Sequence, residues 1–264
     1  MNRIEAKLAQ LKKEHKTAFI GFLTAGDPDL STCRSCLQQM EANGCDIIEI
    51  GLPFSDPIAE GPVIQAANLR ALSHDITTDD VMEMVKAYRK ESEIPLLYLL
   101  YYNQIFSYGI RKFLEACHIS GIDGLIIPDL PFEHHDEIMP IADELGIIII
   151  SLVTPVSDQR KEKITKDSKG FLYCVTSTGV TGERNSFKTN LKAFIDELNQ
   201  YSDTPKALGF GISTPQQIKE MKSYADGIIV GSAIVRRIEE ITTKGKTPQD
   251  VGAFIKELSD ACHS

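Results

Sequence analysis

The chain has 264 residues, of which 42% are hydrophobic and 25% charged, with 28 Lys+Arg against 37 Asp+Glu for a formal net charge of −9. This is the composition of a globular protein with a sizeable core, and the length suits one α/β barrel of ~250 residues as well as a tight pair of domains. The acidic balance disfavours a nucleic-acid binder that relies on broad phosphate attraction, so an anionic substrate would have to be held by local devices.

The N-terminal stretch MNRIEAKLAQLKKEHK carries an amphipathic helical pattern and no signal-peptide core, and no apolar run approaches the ~20 residues of a membrane span. Short apolar, β-rich runs then follow at 17–24, 45–51, 95–102, 124–130, 147–153, 170–176, 206–212 and 227–233. Most are continuous in Val, Ile and Leu, as expected for strands covered on both faces. Between them lie segments of helical period, such as STCRSCLQQMEANG, TDDVMEMVKAYRKES, IRKFLEACHIS, EIMPIADELG, LKAFIDELNQYS and PQQIKEMKSYA. The last run leads into TPQDVGAFIKELSDAC, where Thr247-Pro248 makes a good helix start. The six cysteines fall mostly within these patterns; Cys33-x-x-Cys36 lies mid-helix without a second pair, which reads as reduced core rather than a redox or zinc site. The expectation is a cytoplasmic protein that neither spans a membrane nor binds nucleic acid.

Eight β/α cycles with one helix in front, no Gly/Ser/Pro-rich linker and no Gly-x-Gly-x-x-Gly after the first strand favour a closed barrel over an open doubly wound sheet. The fold expected is a (β/α)8 TIM barrel with an extra N-terminal helix, one domain over residues 1–264.

In such a barrel the active site lies at the C-terminal strand ends. The last two ends are glycine-bearing, GFGIS (209–213) and VGSAIV (230–235), a pattern in which backbone N–H groups and a helix N-terminus cup a phosphate, with Ser232 adding a hydroxyl. Glycines that merely turn the chain are the alternative. Gly182, in the long polar loop TSTGVTGERN, is a possible third contributor, and that loop suggests a lid. Glu49 in DIIEIG shares a strand face with Ile47, opposite Ile48 and Ile50. A carboxylate in so apolar a strand is expected to have a raised pKa suited to proton transfer, or else to be a satisfied core acid. Eleven residues on, Glu60 sits in LPFSDPIAEGPVIQ, whose Pro and Gly content could aim Asp56 and Glu60 at the mouth. No strand end carries a lysine or a histidine, which disfavours a Schiff-base aldolase and a catalytic zinc; no metal site is expected.

The segment IEIGLPFSDPIAEGPVIQAAN (48–68) closely resembles the signature of the tryptophan synthase alpha chain family. The resemblance continues collinearly through FIGFLTAGDP, LLYYNQIFSYGI, PDLPFEH, STGVTG, GFGIS and GSAIV. It implies retro-aldol cleavage of indole-3-glycerol phosphate to indole and glyceraldehyde 3-phosphate, within tryptophan biosynthesis. Glu49 then corresponds to the main acid–base residue, and Glu60 to the aspartate thought to hydrogen-bond the indole N–H. Here A-E-G-P replaces the more familiar A-D-G-P, adding roughly 1.5 Å of reach, and a displacement of ~1 Å can cost about 10²-fold in rate, so the loop must reposition. Phe22, Leu100, Tyr102, Leu125 or Ile127 (Ile127 preferred), Asp129 and Tyr173 match positions lining the indole pocket or supporting Glu49. Gly182, Gly211, Gly231 and Ser232 match phosphate binders, while Ser177 or Thr178 stands where some relatives carry an arginine. The resemblance also implies a beta chain as partner in an α2β2 heterotetramer, met by Pro53, Phe54 and Asp56. No cofactor is expected in this chain, pyridoxal phosphate belonging to the beta partner. Two other readings fit parts of the pattern. A sugar-phosphate isomerase or epimerase on the same barrel leaves the SDP…EGP…IQ loop unexplained. A barrel kept only to activate the beta chain accommodates Glu60 but not the intact Glu49, glycines and STGVTG.

Overall fold

The computed structural model describes residues 1–175, 184–209 and 211–264. Eight strands, β1 (Ala18–Thr24), β2 (Ile47–Gly51), β3 (Leu96–Leu99), β4 (Gly124–Ile126), β5 (Ile148–Val153), β6 (Leu172–Val175), β7 (Lys206–Gly209) and β8 (Gly227–Val230), close in chain order into a barrel. All pairings are parallel, and β1 joins β2 at Phe22↔Glu49 and β8 at Ile20↔Ile229. The fold is the expected (β/α)8 barrel. Several strands are shorter than their apolar runs: Tyr102 already opens a helix, and Pro128 has no N–H to continue the ladder past β4.

Twelve helices are described: α1 (Arg3–Lys13), α2 (Leu30–Ala42), α3 (Pro62–Leu72), α4 (Thr78–Arg89), α5 (Tyr102–Tyr108), α6 (Ile110–Ser120), α7 (Met139–Glu144), α8 (Lys161–Asp167), α9 (Arg184–Asn199), α10 (Pro215–Met221), α11 (Ser232–Lys244) and α12 (Pro248–His263). Two helices rather than one follow each of β2, β3 and β8. EIMPIADELG is helical over Met139–Glu144 only. Residues Phe132–Glu137 form a 3₁₀ segment, and α7 begins only at Met139, with Pro140 in its first turn where a missing N–H does no harm. Thr247 caps α12 reciprocally with Asp250, as its position before Pro248 suggests.

The apolar residues divide into two layers because strand side chains alternate between faces. Ile20, Ile47, Leu97, Ile126, Ile150 and Ile229 fill the barrel, and α1 lays Ile4, Leu8 and Leu11 across its N-terminal end. Asn2 fixes α1 there through a capping box with Glu5 and side-chain hydrogen bonds to the carbonyls of Asp123 and Gly146. Phe19, Leu23, Ile48, Ile50 and Tyr98 face outward and meet the helices, including Cys33, Cys36 and Leu37 of α2. Each such side chain contributes roughly 1.5–3 kcal/mol through burial. All six cysteines are buried free thiols, and burial pushes Cys33 and Cys36 up to about 12, so neither has thiolate character near neutrality.

Candidate active site

Alternation from Ile20 turns Phe22 and Thr24 into the barrel, and alternation from Ile47 does the same for Glu49. Glu49 is 1% exposed, and its Oε1 has no hydrogen-bond partner among the described residues. Burial alone raises its pKa from the usual carboxylate range to about 8. It therefore holds its proton at neutral pH and can give it up or take it back without leaving an ion pair. The Oγ1 of Thr24, one interior position nearer the mouth, is likewise buried without a partner.

Two glycines shape the walls around this carboxylate. A Cβ on Gly51 would lie 2.6 Å from the Phe22 ring, and one on Gly209 would lie 2.5 Å from the Tyr173 ring. Absent side chains on β2 and β7 thus admit aromatic rings from β1 and β6. Phe22 packs with Ala67 and Val235, and against Val63, Ile64 and Leu99, into a small apolar cluster. Burial first, then the Glu49 carboxylate, raises the Tyr173 phenol well above its ordinary value.

The second carboxylate is organised by Tyr101. Its hydroxyl donates to Glu60 Oε2 and accepts the N–H groups of Ile58 at 2.9 Å and Ala59 at 2.8 Å. Its ring stacks on Phe54 with centroids 5.1 Å apart, and Gln104 donates to the Pro53 carbonyl at 3.1 Å. The segment from Pro53 to Glu60 is thereby tied to the end of β3. Burial raises the pKa of Glu60, the Tyr101 hydrogen bond opposes it, and the nearby Asp129 charge adds to the rise. Asp129 accepts the Tyr102 N–H at 2.8 Å, so it holds the first turn of α5 at the mouth. Asp56 is exposed and accepts from Ser55 instead of turning toward the mouth as Glu60 does.

Three expected pocket residues face elsewhere. Leu100 and Ile127 belong to the outer layer between strands and helices, as does Leu125; Leu99 and Ile126 take the interior positions. Tyr102 packs against that outer layer and donates to Glu137 at 2.7 Å, leaving Tyr101 as the tyrosine that meets Glu60. Each error is a slip of one residue, which in a period-two element reverses the face. The signal was present: counting alternately from Leu97 reaches Leu99 and Tyr101. His134 and His135, expected away from the strand ends, lie in the 3₁₀ segment just after β4, where burial lowers the pKa of His135. Among the described residues no three His, Cys, Asp or Glu side chains form a metal-binding group.

At the opposite side of the mouth, Gly211 has φ +70°, a conformation that favours glycine. The α10 N-terminus is closed by its own side chains, since Gln217 Oε1 accepts from the N–H of Ser213 at 2.8 Å and of Thr214 at 3.2 Å. At α11 the N-cap is Gly231 and no side chain caps the first turn, which starts at Ser232. A free first turn of backbone N–H groups with a positive dipole end is suited to an anion. This helix has 13 residues. Gly182, Ser177 and Thr178 lie outside the described residues.

Comparison with known proteins agrees with this geometry. The sequence model of the tryptophan synthase alpha chain family matches residues 8–263. The chain is 49% identical over 260 residues to the tryptophan synthase alpha chain of Thermoanaerobacter pseudethanolicus, covering 98% of this chain and 99% of that one. It is 47% identical over 253 residues to that of Lacticaseibacillus casei, covering 96% and 94%. Among solved structures it is similar to the Legionella pneumophila tryptophan synthase alpha chain, with TM-score 0.91 and 35% identity over 99% of this chain and 97% of that one. It is also similar to a chain of Mycobacterium tuberculosis tryptophan synthase, with TM-score 0.90 and 28% identity over 100% and 99%. A closed eight-stranded parallel barrel together with full-length similarity of this kind leads to one assignment: the chain belongs to the tryptophan synthase alpha chain family.

Proposed function

We propose that the chain cleaves indole-3-glycerol phosphate to indole and glyceraldehyde 3-phosphate. The observation that carries this reading is Glu49: a carboxyl group inside the barrel, its Oε1 without a partner among the described residues, whose pKa of about 8 keeps it protonated at neutrality. Glu49 gives that proton to indole C3, and the resulting iminium becomes the electron sink. The Glu49 carboxylate then takes the proton of the hydroxyl on the carbon bonded to C3. The C3–C bond breaks, its electrons return to the indole ring, and the aldehyde of glyceraldehyde 3-phosphate forms. Glu49 ends the cycle protonated, so no proton is left over.

Glu60 accepts a hydrogen bond from the ring N–H and stabilises the iminium charge, Tyr101 and Gln104 holding the loop at the distance its longer side chain needs. Phe22, Leu99 and Ile126 border the indole, Tyr173 supports Glu49, and Gly182, Gly211, Gly231 and Ser232 receive the phosphate. The partner is a beta chain in an α2β2 assembly in the cytoplasm, which holds pyridoxal phosphate and consumes the indole. Pro53, Phe54 and Asp56 meet it, beside the apolar side chains of Ile58, 79% exposed, and Phe106, 66% exposed.

The test is indole release from indole-3-glycerol phosphate by wild type and Glu49→Gln, each with and without a relative's beta chain. Release by wild type that the beta chain accelerates, and that Glu49→Gln lowers about 10³-fold, is expected. Stimulation of the beta reaction without any indole release would mean that the barrel survives as an activator alone.

A further inference from the structure

The two ends of the site stand on different helices: Glu60 immediately precedes α3, whose N-cap is Gly61, and the phosphate end is the first turn of α11. These helices pack on each other, with Ala67 of α3 and Val235 of α11 meeting at Phe22. Further along the same seam the helical period brings up Arg70 on α3 and Glu239 on α11. Arg70 Nε and Nη2 each reach one oxygen of Asp27 at 2.8 Å, while Nη1 reaches Glu239 at 2.9 Å. Asp27, in the turn after β1, is 1% exposed, and Arg70 is partly buried. A single guanidinium thus joins the β1 turn, α3 and α11, using a planar fork that a lysine cannot reproduce.

We infer that Arg70 is a positioning residue that sets the separation between the carboxylate end and the phosphate end of the substrate site, acting through Asp27 and Glu239. The inference rests on the reading that Gly231 and Ser232 receive the phosphate. A substrate anchored at both ends gains from both anchors only when their spacing matches its own length. Loosening the seam therefore weakens the whole substrate while leaving either half bound as before. Damage to the pocket itself would weaken the halves too.

The experiment compares wild type, Glu239→Ala, Arg70→Lys and Ser232→Ala. Each is measured for KM and kcat with indole-3-glycerol phosphate, for affinity toward indole alone and glycerol 3-phosphate alone, and for Tm. Glu239→Ala leaves the buried Asp27–Arg70 pair intact, so it keeps the question open to test even where Arg70→Lys fails to fold. Expected is a KM raised about 3- to 10-fold in Glu239→Ala and about 10-fold or more in Arg70→Lys, with both half-affinities within about two-fold of wild type. An unchanged KM in Glu239→Ala, or a parallel loss for substrate and halves, overturns the inference. Failure of Ser232→Ala to weaken glycerol 3-phosphate overturns instead the phosphate reading, and the inference with it.

Discussion

At the N-terminal end of the barrel Asp46 and Asp123 are buried almost as fully as Glu49 is inside it, with 7%, 4% and 1% exposure. Their surroundings differ. Asp123 accepts the Leu96 N–H at 2.9 Å and faces Arg3 at 3.0 Å and Arg89 at 3.2 Å. Asp46 accepts the Phe19 N–H at 2.9 Å and meets His263 Nε2 at 2.8 Å, whose other ring nitrogen is 3.2 Å from Ser259. Burial raises Asp123, but its hydrogen bonds and arginines oppose the rise; at Glu49 nothing opposes it. The lower end spends its polar groups on closing the barrel around α1 and α12. Among the described residues, the upper end leaves Glu49 Oε1, Thr24 Oγ1 and the first turn of α11 without side-chain partners. Arg34 Nε on α2, Thr165 Oγ1 on α8 and the outward-facing Tyr98 hydroxyl are also buried without a partner among the described residues, but Glu49 and Thr24 alone turn theirs into the barrel toward its mouth. Buried polar groups are ordinarily satisfied, so this pair marks where the molecule meets something else.

The largest effect should separate the two ends completely. Glu49→Gln is expected to lower indole release about 10³-fold while the protein stays folded. Its stability should also depend differently on pH. Between the ordinary value of 4.5 and about 8, folded wild type keeps a Glu49 proton that the unfolded chain has lost. The stability that this proton contributes is present below that window and is lost as pH rises through it. Urea midpoints measured at about pH 5 and pH 8.5 should therefore fall more for wild type than for Glu49→Gln. Equal slopes would mean that Glu49 is already ionised in the folded state.

Asp123→Ala should do the reverse. Removing one member of a buried charge cluster strands Arg89 and the Leu96 N–H, and a loss of about 3–5 kcal/mol in urea unfolding is expected. The kcat of the remaining folded protein should stay within about two-fold, because the N-terminal end governs stability and not the chemistry. A large kcat loss would blur the division between ends.

Within the upper end, Glu60→Gln is expected to slow turnover about 10²-fold and Tyr101→Phe less than about 10-fold, since the first removes the charge and the second only its support. The reverse order would give Tyr101 the direct role. The smallest effect concerns Thr24. Thr24→Val removes a buried hydroxyl that has no partner among the described residues, and stability should hold or rise by about 1 kcal/mol, whereas any structural hydrogen bond there would make the variant less stable.

The architecture was legible from the order of elements alone, because apolar runs alternating with helical periods leave few ways to cover a parallel sheet. Glu49 was legible for the same reason: a lone acid among isoleucines stands out, and alternation assigns its face. Leu99, Tyr101 and Ile126 were not, because LLYLLYY and GLIIPDL are apolar on both faces and carry no alternation to set the phase. Residue counting could propose a register there, but pairing with β2 and β5 fixed it. Least legible were the contacts that bring Tyr101 to Glu60 and Arg70 to Asp27 and Glu239, separated by 41, 43 and 169 residues. Local propensity and periodicity act over a few turns of chain. The partners of a polar side chain are chosen by which strand ends become neighbours when the barrel closes, and that is a property of the whole fold.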